Sequence, residues 1–167
     1  MITRIKYTKP FLTATSTAYL LDFNEKLKET LTKFSELKAD YIHVGVTTSS
    51  TANAQTLLTN NRRIKMGYNP SVKPTYYVLG HELTHFVQEI SDIPSGERQC
   101  DVYTIARDPL FLDRQPGYIT INNTIRDNWI LYADDVRKLC IEAINQRSNG
   151  RRQYIVWLEK EIARLCR

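Results

Sequence analysis

Between residues 16 and 90 the hydrophobic period of this chain changes twice, and that order limits the folds open to it. Residues about 16–38 place Leu20, Phe23, Leu27, Leu31, Phe34 and Leu37 at three- and four-residue steps, the spacing of one buried helix face. "YIHVGV", 41–46, then alternates Ile42, Val44 and Val46 against Tyr41, His43 and Gly45, the two-residue period of a strand. A polar stretch covers 47–61. "RRIKMGY", 62–68, puts Ile64, Met66 and Tyr68 on one face and reads as a second strand. Helical spacing returns after Asn69-Pro70-Ser71, with Ser71 the expected N-cap and Pro74 in the first turn. Leu79, Leu83, Phe86 and Ile90 are its expected buried stripe.

"SDIPSG" ends that helix, and Gly96 precedes a new one of about 97–107. A loop with Pro109, Pro116 and Gly117 follows. Two amphipathic helices close the chain. The first, about 127–147, presents Trp129, Ala133, Val136, Cys140 and Ala143. The second, about 151–166, presents Ile155, Leu158, Ile162 and Leu165, with Asn149-Gly150 as the turn between them. The expected fold class is α+β: a small antiparallel or mixed sheet, an N-terminal helix, two central helices and a C-terminal helical hairpin. At 167 residues this suits a single domain over 1–167, with a core at about 41–107 and the helical pair at about 127–166.

Composition narrows the class. No stretch approaches 18 consecutive apolar residues, which argues against a membrane helix. The first 25 residues have no clean apolar segment and read as mature protein. Cys100, Cys140 and Cys166 are odd in number, far apart and without a CxxC, so a reducing cytoplasm is expected rather than a disulfide framework. The net charge of +5 is spread over both ends of the chain. It suits a solvated surface, or an acidic or nucleic-acid partner, but no nucleic-acid module accompanies it. Oligomeric state is not legible.

The chemistry concentrates in "GHELTH", 80–85, which holds two of the three histidines. Residues four apart on a helix lie one turn above each other, so His81 and His85 can each aim a ring nitrogen at one ion about 2 Å away. Glu82 can then reach a metal-bound water and act as general base. The third histidine, His43, reads as structural. A third ligand must come from another segment. Glu89 is excluded, because eight residues is about 12 Å of rise. No histidine follows His85, and Gln88 and Ser91 stand where a longer histidine motif would need Gly and His. The available oxygens are Glu97 and Asp101, with Asp92 in the turn. Glu97 and Asp101 are again four apart: one carboxylate can bind the metal while the other accepts the second N–H of a ligating histidine. Cys100, three residues after Glu97, is expected to point elsewhere.

The pair His81-Glu82-Leu83-Thr84-His85 and Glu97-Arg98-Gln99-Cys100-Asp101 resembles the gluzincins, the zinc peptidases that include thermolysin, and the small minigluzincins among them. The resemblance covers about 41–107. It implies a zincin-like core, with an active-site helix followed by a glutamate helix. It implies Zn2+ held by His81, His85 and Glu97, with Asp101 holding a histidine and Glu82 as catalytic base. The implied activity is hydrolysis of a peptide or protein substrate. Such a site also needs an oxyanion donor, for which Tyr118 and Tyr132 are candidates. The strand at 62–68 or that at 41–46 would be the edge that pairs with substrate. The alternative is a non-enzymatic or latent module of the same fold, binding a protein or nucleic acid through its basic helical ends.

Overall fold

A computed structural model describes residues 4–47, 54–60 and 63–166 of the chain. It is a mixed α+β structure built on one four-stranded sheet. The strands are β1 (Arg4–Tyr7), β2 (Tyr41–Val46), β3 (Ala54–Asn60) and β4 (Arg63–Tyr68), in the spatial order β1-β2-β4-β3. β1, β2 and β4 run parallel, with Ile5 opposite Ile42 and Ile42 opposite Ile64. Only β3 is antiparallel, pairing with β4. Of the two sheet types expected, the mixed one is found. A purely antiparallel sheet is ruled out because β1 reaches β2 through a helical crossover, the connection that parallel neighbours require.

That crossover consists of α1 (Lys9–Ala14) and α2 (Thr17–Thr32). Neither β1 nor α1 was expected; four and six residues are too short for a hydrophobic period to declare itself. α2 begins close to the expected residue, capped by Ser16, whose hydroxyl accepts the Tyr19 N–H. It ends earlier than expected. The chain tightens there through three-residue bonds from Lys33 N to Thr30 O and from Phe34 N to Leu31 O. Phe34 and Leu37 keep their place in the core from this turn. The polar stretch also held a surprise: part of it is β3. Arg62, the first residue of the second expected strand, lies outside the described residues.

The next helix, α3 (Tyr76–Ile90), is the centre of the molecule. Its N-cap is Thr75, whose hydroxyl accepts the Val78 N–H, and not Ser71. Ser71 belongs to a separate turn in which Asn69 Oδ1 accepts its N–H at 3.0 Å. Pro74 therefore precedes the cap, and the helix starts just beyond it. Asp113 adds a second cap from a distance, accepting the N–H groups of Tyr76 and Tyr77 at 2.7 and 2.9 Å. Every residue from Tyr77 to Thr84 is buried. α3 lies among α2, β3, α4 (Glu97–Arg107) and a 3-10 turn at Pro109–Leu112. Leu79, Leu83 and Phe86 are buried as expected; Ile90, in the last turn, is largely exposed because the helix runs past the core there.

Gly80 is what lets the 3-10 turn approach. A Cβ at this position would lie 2.7 Å from the ring of Phe111, which is itself fully buried. Three further helices close the chain: α5 (Asn123–Asp127), α6 (Trp129–Ser148) and α7 (Tyr154–Ile162). α6 packs on both α4 and α7, with Ala133, Val136, Cys140 and Ala143 buried as their spacing predicts. All three cysteines are free. Among the described residues no helix is long and apolar enough to cross a membrane.

Candidate metal centre

α3 and α4 cross with small side chains between them. Thr84 Oγ1 donates back to Gly80 O at 2.8 Å, and Thr104 Oγ1 donates to Thr84 Oγ1 at 2.9 Å; both threonines are fully buried. The close crossing brings the start of α4 over the two histidines of α3. Gly96 makes the entry, with a φ of +109° that side chains rarely adopt, so that Glu97 is the first residue of the helix.

His81 Nε2 lies 2.9 Å from Glu97 Oε2, and His85 Nε2 lies 3.3 Å from the same oxygen. The two rings stand nearly perpendicular with centroids 4.9 Å apart. Each ring's other nitrogen faces a different partner. Asp101 Oδ1 is 3.0 Å from His81 Nδ1, close enough to orient the ring but out of line, so this nitrogen has no well-aligned hydrogen bond. His85 Nδ1 lies 2.9 Å from Gln88 Oε1. The Gln88 amide nitrogen donates to Pro94 O at 2.7 Å and Gly96 O at 3.2 Å. That leaves the amide oxygen as acceptor, so His85 Nδ1 carries a proton and its Nε2 faces Glu97.

Electrostatics follow from this packing. Burial opposes a charge on His81, yet Asp101, Cys100 and Glu97 outweigh it and hold its pKa well above the usual imidazole value. Burial also opposes the charge on His85. Cys100 and Glu97 prevail over burial and the neighbouring His81 and lift it to about 9. The His81 imidazole, in turn, holds Glu97 below the usual carboxylate range, against partial burial and with help from His85. The packing thus favours positive charge at this point, which is where a metal cation could sit.

The donors suit zinc. Metal–ligand bonds of about 2.0–2.1 Å in a tetrahedron give edges between donors of about 3.3 Å. The separations of 2.9 and 3.3 Å are of that size, and two imidazoles with one carboxylate favour zinc over calcium or magnesium.

Asp101 does more than face His81. It is fully buried and accepts the Tyr77 hydroxyl, the Tyr118 N–H at 2.6 Å and the Ile119 N–H at 3.0 Å. Those last two bonds bring Tyr118 to the cluster, where its ring stacks on His81 with centroids 5.7 Å apart and an angle of 21°. Burial, Glu97, Asp101 and Glu82 raise its pKa against the pull of His81, so the phenol keeps its proton. Tyr132 is engaged instead by Cys166, near the C-terminal end. Glu82 is almost fully buried on α3 between the two histidines in sequence. Asp92 is exposed in its turn, with its backbone carbonyl accepting Arg147. His43 sits on β2, its ring edge-on to Tyr41.

Cys100 does not point elsewhere. Its sulfur donates to His81 O at 3.0 Å, and together with ring nitrogens of His81 and His85 it forms a cluster in which all three atoms lie within 4.8 Å of one another. Residues three apart on a helix are neighbours, which is why Glu97 and Cys100 face the same helix α3. Gln88 and Tyr77 were not anticipated. Both had a signal: Gln88 is three residues after His85 and Tyr77 four before His81, each on the face of a histidine.

Compared with protein families, with curated proteins and with solved structures, the chain gives no match.

Proposed function

We propose that this chain is a zinc-dependent metallopeptidase of the gluzincin type. The observation that supports it most is the convergence of His81, His85 and Glu97 on one point, with Asp101 and Gln88 behind the two rings. Under this reading α3 and α4 are the active-site and glutamate helices of a zincin-like core. His81 Nε2, His85 Nε2 and a Glu97 oxygen hold the ion. Zinc bound there supplies Lewis-acid polarisation of a scissile carbonyl and a water of lowered pKa.

The Glu82 carboxylate takes the proton of the attacking water and delivers it to the departing amine. Tyr118, protonated and half-open to solvent above His81, donates its phenolic O–H to the carbonyl oxygen as charge develops. Asp101 and Gln88 keep the rings oriented. An extended peptide pairs along the outer edge of β3, which has no further strand beside it among the described residues and lies against α3. β2 and β4, the strands that the sequence suggests for this role, are both interior to the sheet and have no free edge.

The experiment is zinc content per chain after dialysis, with cleavage of an unstructured protein followed in parallel. One zinc in the wild type, lost in Glu97→Ala, and cleavage lost in Glu82→Gln with zinc retained is the expected result. A folded wild type that takes up no zinc when it is supplied would sink the reading.

A further inference from the structure

Away from the histidines, the outer face of α7 and the turn before it form an open cleft of about 430 Å³. It is lined by Arg151, Arg152, Gln153, Val156, Trp157 and Lys160: three cations, an indole, and no acid. The acids of α7 are matched elsewhere. Glu159 pairs with Arg98, and Glu161 pairs with Arg164 at 2.5 Å. Arg151 donates to Gln146 at 2.6 Å and lies over the Trp157 ring, 5.7 Å from its centroid. Arg152 and Lys160 are exposed and have no carboxylate partner among the described residues. Val156 is 44% exposed beside them.

We propose that this cleft binds single-stranded nucleic acid. A base stacks against Trp157 and Val156, and the flanking phosphates meet Arg152 and Lys160. Gln153 offers both a donor and an acceptor to a base edge. A chain of acidic side chains alone would use the cations but not the indole; a nucleotide, with a phosphate and a base, uses both. The proposal is independent of the peptidase reading, because none of the lining residues belongs to the histidine cluster. The cleft is nonetheless tied to that cluster. Glu159, on the inner side of the same helix, holds both Arg98, next to Glu97, and the Thr120 N–H at 2.8 Å, two residues from Tyr118.

The test is fluorescence anisotropy of a labelled 15-nucleotide oligo(dT) with the full chain. Two to three phosphate contacts at a slope of about −0.7 each predict that binding weakens about 7- to 20-fold between 50 and 200 mM salt. Arg152→Ala/Lys160→Ala removes two exposed side chains that have no carboxylate partner among the described residues, and circular dichroism verifies that it folds. It is expected to bind at least about tenfold more weakly with a shallower salt dependence. Oligo(dT) should quench tryptophan emission in the wild type and not in Trp157→Phe; an abasic oligonucleotide should not quench either. No binding at 50 mM salt, or unchanged binding by the double variant, overturns the proposal. Poly-glutamate of equal charge binding as tightly as the oligonucleotide also overturns it, in favour of an acidic protein.

Discussion

The side-chain amide of Gln88 holds His85 in place: its oxygen lies 2.9 Å from Nδ1 while its nitrogen bonds the carbonyls of Pro94 and Gly96. One residue therefore orients a candidate ligand and shapes the turn that delivers Glu97. Partners of this kind are worth about 10–100-fold in metal affinity. Gln88→Leu is expected to weaken zinc binding by that much while the protein stays folded. Gln88→Glu keeps the acceptor for Nδ1 but loses both donors, and should fall between. Competition with a chromophoric chelator measures both; equal affinities for all three proteins would remove Gln88 from the site.

Asp101 carries a heavier structural duty than a single histidine contact. It is fully buried and accepts one hydroxyl and two backbone N–H groups. Removing it strands those donors. Asp101→Ala is expected to lower stability by about 3–5 kcal/mol, read from urea unfolding. A loss below about 1 kcal/mol would show that the 118–119 segment is held by other means.

Gly80→Ala tests the close approach of Phe111. Alanine is the better helix former by about 1 kcal/mol, so propensity alone predicts a gain. A Cβ lying 2.7 Å from a fully buried ring predicts a loss of about 1–3 kcal/mol instead. The net loss should shrink in a Phe111→Leu background, which makes a double-mutant cycle the measurement. Additive effects would mean the two residues do not meet.

Acidity should act in opposite directions on the metal-free and zinc-loaded protein. His85 has its pKa raised to about 9, and His81 is raised as well. Without metal, Glu97, its pKa lowered, contributes stability that is lost only as pH falls through the carboxylate range, and the protonated histidines contribute stability that is full below the ordinary imidazole value of about 6.5. The histidines' contribution is lost as pH rises through about 9. Zinc needs the unprotonated rings, so its apparent affinity should climb over the same window, with protons released on binding. Thermal melts with and without zinc across pH 6–9 would display the crossing. A zinc affinity flat with pH would argue that the histidines are not ligands.

The local half of this protein is readable from its residues. The period of Ile42, Val44, Ile64, Met66 and Tyr68 marks two strands, and the four-residue steps in His81/His85 and Glu97/Asp101 put each pair on one helix face. Such patterns survive because side-chain direction along a helix or strand depends only on nearby backbone. What depends on distant segments was decided by the tertiary structure. The parallel pairing of β1, the interior place of β4 and the edge position of β3 come from which strands meet, not from their periods. Tyr118, rather than Tyr132, reaches His81 because Asp101 binds its backbone. Cys100 turns toward the histidines because α4 crosses α3 over Thr84 and Thr104. Sequence determined which residues could share a face; only packing, by bringing faces of separate elements within hydrogen-bond reach, decided which of them share a site.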